Sequence, residues 1–369
     1  TPDFAAFMNA QLSRSPKLLR EETWEQMWSP GLGEERLGNR AKAGEMGLGY
    51  FELTRHGRRI VEHSGDHRQG WHSKFELYPE EKTGIFISYN GDGNEASSSL
   101  REDLAQGFAD RYFPGDAVKA SGSKDSAERA RQVAGSYISS VSPWNTFLAA
   151  WSPFFGKATI EHAGGGKLIL DKVQYVEVEP WVWRQVDGRG AIAAQVKDGK
   201  VVSLSQGPAF TLLPTTLLQQ ALVPVFGVCL VLLLVVTVAW PVGALRRRRA
   251  LKRGQEVDAP LPWLTRVARG GGALALAAQL TWILLLATIS KGLSSNGSLT
   301  WLVPVIRGAQ VLQALGVVAI IPAAADLVMS LRRRAGWRRI TMSAILLAAL
   351  VALAWWAWAG NALVPNLGM

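Results

Sequence analysis

Hydrophobic and polar positions divide the chain into stretches of different period. In residues 4–28 the spacing is helical: Phe4, Phe7, Met8 and Leu12 fall on one face, Ser15-Pro16 interrupts it, and Glu22–Met27 predicts a second short helix. From Gly47 the period drops to two. Gly47–Leu53 predicts a strand, His56-Gly57 a turn and Arg59–His63 another strand; Gly70–Tyr78 and Thr83–Asn90 follow, joined by a turn at Pro79. Connections this short predict an antiparallel meander. Leu100–Phe113 then returns to helical spacing, with Leu104, Phe108 and Tyr112 on one face and Pro114-Gly115 as its stop.

Beyond this point two further regimes follow. Asp116–Arg131 is small and polar and predicts a linker. Residues 133–214 carry short β-leaning segments at 158–160, 167–170, 175–178, 182–186, 191–196 and 201–204, with turns at Gly164, Asp187-Gly188 and Asp198-Gly199. They predict a small antiparallel β domain, barrel-like or lipocalin-like. From Val201 to Leu245 there is no charge at all, and Leu222–Trp240 is almost purely apolar. About 20 such residues cross a ~30 Å hydrocarbon layer as a helix. Similar runs at 271–290, 303–329 and 340–363 predict four spans, and the domain boundaries expected are 1–115, 116–131, 132–214 and 215–369.

Charge sharpens this division. Residues 1–210 hold 25 Lys+Arg and 27 Asp+Glu, whereas 211–369 hold 15 basic residues and three acids, Glu256, Asp258 and Asp326. The basic excess therefore belongs to the membrane part, and no basic face is left for nucleic acid. Arg246–Arg249, Lys252, Arg253, Arg266 and Arg269 follow the first span, and Arg332–Arg334, Arg338 and Arg339 follow the third. The positive-inside rule places both loops in the cytoplasm and everything before Leu217 outside, in a bacterial-type inner membrane. Arg307 and Asp326 are the charges within spans, each near an end, and read as structural. The lone Cys229 excludes an intrachain disulfide or a cysteine metal site. His56, His63, His67 and His72 lie close together in sequence but without ligand spacing, so no metal and no cofactor are expected.

The run from His63 to Asn90 resembles the last active-site strand and hairpin of the serine β-lactamase/penicillin-binding-protein superfamily, nearest to class C β-lactamases and related esterases and peptidases. His63-Ser64-Gly65 stands where that family has Lys-Thr-Gly or His-x-Gly; Gly70-Trp71, Pro79 and Asn90 follow in the family's order. Upstream, Gly47-Leu-Gly-Tyr50 resembles its Gly-x-Gly-aromatic strand, and Thr1–Met8 the helix after its second motif. The resemblance covers residues 1–113. It implies an α+β fold: the C-terminal part of a β-lactamase-like antiparallel sheet with flanking helices, followed by the β domain and four transmembrane helices. It also implies acyl-enzyme hydrolysis of a peptide, ester or lactam bond, with His63, Ser64, Gly65 and Asp66 lining the site. His63 would supply a donor near the substrate carboxylate, Gly65 open backbone, and the Asp66 N–H an oxyanion contact. Lys82-Thr83-Gly84 spells the motif literally but falls in a hairpin turn.

One departure qualifies the resemblance. The chemistry needs a Ser-x-x-Lys nucleophile and a Tyr-x-Asn or Ser-x-Asn loop. The sole Ser-x-x-Lys, Ser121–Lys124, falls in the expected linker, after the third motif, and no Tyr-x-Asn occurs. The expectation is a truncated chain, the C-terminal part of a longer protein and inert alone. Two readings follow: a membrane-anchored serine hydrolase remnant whose partners are the bilayer and a cell-wall peptide, ester or β-lactam, or a non-catalytic cell-wall or partner-binding module.

Overall fold

The computed structural model describes residues 2–67, 70–91, 97–116, 118–186, 190–254, 262–295 and 300–366. It divides into two compact units, residues 1–141 with 156–215, and residues 142–155 with 216–369.

In the first unit, α1 (Pro2–Leu12), α2 (Glu21–Trp28) and the single turn α3 (Glu34–Leu37) precede a 3-10 segment, Gly38–Ala43. A five-stranded antiparallel meander follows: β1 (Glu45–Met46), β2 (Phe51–Arg55), β3 (Arg58–His67), β4 (Trp71–Tyr78) and β5 (Thr83–Asn90). The strand expected from Gly47 starts only at Phe51, because Gly47 N–H closes a turn on the Tyr50 carbonyl. His56 and Gly57 both take positive φ, 51° and 73°, in the two-residue turn that joins β2 to β3. Phe4 stacks on Phe86 at 3.9 Å and lies 5.5 Å from Phe75, seating α1 on one face of the sheet.

The other face carries α4 (Ser97–Tyr112). Its buried side is Ala105 and Ala109; of the stripe read from the sequence, Phe108 is half-buried and packs near Tyr78, while Leu104 and Tyr112 are exposed. The reason lies beneath it. Arg55, Glu62, Lys74 and Glu76 are buried on the covered face, so the helix approaches with alanines and contributes Glu102, whose carboxylate takes Lys74 at 3.0 Å.

Residues 116–131, read as a linker, contain the start of α5 (Ser126–Val133), whose Ala130 and Val133 belong to the core of a closed eight-stranded barrel. The barrel comprises β6 (Gly135–Ser139), β7 (Lys157–His162), β8 (Lys167–Leu170), β9 (Val173–Glu179), β10 (Val182–Gln185), β11 (Ala191–Lys197), β12 (Lys200–Ser205) and β13 (Thr211–Pro214). Pairing of β13 with β6 closes it. Inside, Tyr137, Ile160, Leu168, Trp183, Ile192 and Leu204 form one cluster, as an eight-stranded barrel is just wide enough for its side chains to fill. Arg129 of α5 makes a bidentate pair with buried Glu177 of β9, at 2.7 and 2.9 Å. Asn39 Nδ2 donates to the Ala194 and Trp181 carbonyls at 3.0 and 3.3 Å, tying the 3-10 segment to the barrel wall. The turn expected at Asp187-Gly188 lies outside the described residues.

The second unit contains four helices long and apolar enough to cross a membrane, which makes the chain a multi-pass membrane protein. A short turn, α6 (Ser152–Phe155), precedes them in sequence. α7 (Leu217–Lys252) is 36 residues, about 54 Å of helix, so its Arg246–Lys252 end runs on past the apolar span. α8 (Trp263–Ser295) is followed by α9 (Val303–Val318) and α10 (Ile320–Arg332), which form one span interrupted at Ala319, three residues before Pro322. Proline there cannot donate its backbone bond. α11 (Trp337–Ala359) completes the set. Small residues bring these helices together: a Cβ on Gly271 would lie 2.2 Å from Ala319 Cβ. Phe147 and Trp151, from the segment that leaves the chain between β6 and β7, pack with Phe226, Trp282 and Trp356.

Candidate functional site

β2 is shorter than β3. Its first residue, Phe51, pairs with Glu62, so beyond Glu62 the strand β3 continues to His67 paired only with β4. Alternate residues of an antiparallel strand direct their N–H and C=O groups to opposite sides. From His63 to His67 the backbone on the β2 side therefore has no strand partner among the described residues, and this edge holds all four candidate residues.

Register sorts their side chains. His63 and Gly65 share the α1 face with Phe75 and Ser73, their direct partners on β4. The His63 ring is exposed and lies flat against Phe51 at 5.2 Å. A Cβ on Gly65 would sit 3.2 Å from Ser73 Oγ, and Ser73 is in turn opposite Ser88 of β5. Gly65, Ser73 and Ser88 thus form a row of small residues, with His63, Phe75 and Phe86 on one side and exposed Trp71 with Asn90 on the other. Glycine is required at position 70, with φ of 84°, because a Cβ would meet the Gly91 backbone nitrogen at 2.8 Å.

Ser64 and Asp66 belong to the α4 face, opposite Lys74 and His72. The Asp66 side chain is tied to His72 Nδ1 and to Arg101 at 2.9 Å. Burial pushes its carboxyl up, but the hydrogen bonds from Arg101 and His72 outweigh this and hold it below the usual carboxylate range. His72 is buried and stacks on Tyr89 at 4.9 Å. Sequence reading assigned Asp66 only a backbone contact; the side-chain network could not be foreseen because its partner Arg101 is 35 residues away.

A buried ionic cluster sits behind the edge, and sequence reasoning missed it. Glu76 takes Arg55 at 3.0 and 3.1 Å and Tyr78 at 2.9 Å, while Lys74 reaches Glu62 at 2.5 Å, Glu76 at 3.3 Å and Glu102 at 3.0 Å. Arg55 and Lys74 face three carboxylates, Glu62, Glu76 and Glu102, the last also 3.5 Å from Arg101. Burial drives the Glu62 carboxyl up to about 7 against the pull of Lys74, whereas Arg55 and Lys74 overcome burial at Glu76 and hold it near 2. The polar alternation of β4, His72-Lys74-Glu76, was the available signal: three polar residues on a face that a helix covers.

The histidines separate. His56 pairs with Asp110 at 2.8 Å in the β2–β3 turn, far in register from the free edge. Lys82-Thr83-Gly84 lies at the β4–β5 turn, Lys82 with φ of 50°. Ser121 is exposed, its N–H bound to the Glu177 carbonyl on the barrel. No protein-family model, no curated protein and no solved structure matches the chain.

Proposed function

We propose that the chain is the membrane-anchored, substrate-holding part of an extracytoplasmic serine hydrolase of the β-lactamase/penicillin-binding-protein type. The observation that carries this reading is the unpaired β3 edge from His63 to His67, with His63 exposed beside the small-residue row Gly65–Ser73–Ser88. An extended acyl-peptide or a β-lactam adds to such an edge as a further strand, its amides answered by backbone groups. His63 then donates to the substrate carboxylate, and the strand amides after Gly65 face the carbonyl oxygen on which charge develops. The attacking serine is not supplied by these residues: Ser64 is on the opposite face, against Lys74. Positive-inside counting puts the soluble unit outside the cytoplasmic membrane and the arginine-rich helix ends within.

The serines on the His63 face, Ser73 of β4 and Ser88 of β5, are not followed by the lysine of a Ser-x-x-Lys motif, which also supports the second reading, in which the same edge holds an extended cell-wall peptide or partner without turnover. A fluorescent penicillin separates them. On the hydrolase reading, polypeptide from this gene that includes an upstream Ser-x-x-Lys takes a label that survives denaturation, the label falls at least about tenfold in His63→Ala, and residues 1–369 alone bind reversibly. Reversible binding in every form supports the second reading, and no binding in any form rejects both.

A further inference from the structure

Beyond Glu62, β3 has β4 on one side and no strand partner on the other among the described residues. Gly65 lies in this half-paired stretch, at a point where a Cβ would crowd Ser73 Oγ at 3.2 Å. A glycine near a strand end is the residue least able to hold its own peptide plane. Yet the Gly65–Asp66 peptide carries the N–H that the hydrolase reading directs at the developing oxyanion. Another group has to hold it.

Asp66 supplies the fixing point. Its Oδ1 takes His72 Nδ1 and, at 2.9 Å, Arg101 Nη1. His72 is the direct partner of Asp66 on β4, and its ring stacks at 4.9 Å on Tyr89, its own partner on β5. Near the start of α4 the Arg101 backbone N–H donates to Tyr89 Oη at 3.3 Å. Asp66, His72, Tyr89 and Arg101 thus close a ring through β3, β4, β5 and α4, and every link in it is a direct contact.

Burial sets this ring apart from a merely stabilising ion pair. The Asp66 side chain is 47% exposed, so its charged contacts add little to the fold. His72 is 5% exposed and its Nε2 has no hydrogen-bond partner, a cost that an apolar ring stacked on Tyr89 would avoid. The carboxylate assigns the imidazole proton to Nδ1 and so fixes its orientation. What the ring delivers is direction. Two donors from two elements, meeting on one oxygen, fix the Asp66 side chain and with it the peptide that precedes it. We infer, on the hydrolase reading proposed above, that His72 and Arg101 are positioning residues: they clamp Asp66 so that the Gly65–Asp66 peptide is held in place for substrate.

The test uses the whole 369-residue chain, with amide exchange in the absence of ligand, affinity for a fluorescent penicillin, and Tm as readouts. Arg101→Gln should speed exchange at residues 64–67 about tenfold and weaken penicillin about tenfold, the fold-change of one lost charge-assisted bond. Amides of β5 and of the rest of α4 should stay within about twofold of wild type. Arg101→Lys should recover most of both losses, because the contact uses a single carboxylate oxygen that one ammonium can answer. His72→Phe keeps the stacking, removes the donor and should repeat the Arg101→Gln pattern; it also serves if Arg101→Gln fails to fold. Unchanged exchange at 64–67 in both variants, a rise spread evenly over the sheet with a matching fall in Tm, or Arg101→Lys no better than Arg101→Gln would overturn the clamp. Local exchange changes with no penicillin bound even by wild type would keep the clamp and remove the hydrolase reading it serves.

Discussion

Glu62 is the residue whose surroundings set a pH dependence. Its folded pKa, about 7, lies above the ordinary glutamate value, so the stability it contributes is complete below about pH 4.5 and is lost as pH rises through 7. Glu76 and Asp66 have the opposite sign: depressed in the fold, they stabilise above the ordinary carboxylate range and lose that contribution in acid. Between pH 5 and 7 Glu62 dominates. Chemical unfolding of the soluble unit should therefore show stability falling with pH across that window, at no more than about 1.4 kcal/mol per pH unit. Glu62→Gln should flatten the profile; an unchanged slope would contradict the assignment. Asp326 answers to a different test. Removing it as Asp326→Ala takes the acceptor from the Thr265 and Ser343 hydroxyls and the counter-charge from Arg339, and thermal unfolding of the helical unit should reveal a loss of roughly 3 kcal/mol.

At the scale of elements, α4 is the clearest departure from pattern reading. Leu104, Phe108 and Tyr112 make a convincing stripe, yet only Phe108 of the three packs on the sheet, beside Tyr78, and Ala105 and Ala109 supply the buried side. Small side chains bring the helix within reach of Lys74 and place the Ala105 carbonyl 3.5 Å from Arg55. Ala105→Leu should thus cost about 1–3 kcal/mol by overpacking, whereas Leu104→Lys should change stability by less than about 0.5 kcal/mol; the reverse order would restore the stripe as the buried face. Four of the five meander strands were legible because their period is two and their turns carry Gly or Pro; β1, two residues long, was not. Six of the eight barrel strands were legible on the same grounds. β6 and β13 were not: β6 is a five-residue Gly-Ser-Tyr-Ile-Ser segment directly after α5, and Thr211–Pro214 lies within the uncharged run that leads into α7. The spans were found by length and apolarity, which is a cumulative signal, while the break at Ala319 depends on a single Pro322. Residues 63–66 fall together on β3, but the ionic cluster behind them was not legible, since it assembles from β2, β3, β4 and α4.

For the whole molecule, four apolar helices and a strongly asymmetric charge distribution predict an orientation that can be measured directly. Cys229 is buried and the chain has no other thiol, so single cysteines report cleanly. In intact cells a membrane-impermeant maleimide should label Ser121→Cys and spare Arg253→Cys; the opposite pattern would invert the topology and separate the soluble unit from any extracytoplasmic substrate. The central claim is narrower and sits on one strand. Amide hydrogen exchange of residues 63–67, followed in the whole chain with and without saturating β-lactam or acyl-D-alanyl peptide, tests it most directly. Slowed exchange confined to the amides of β3 that point away from β4 is the predicted result. Exchange at that edge unchanged by ligand, with protection elsewhere or nowhere, would contradict it.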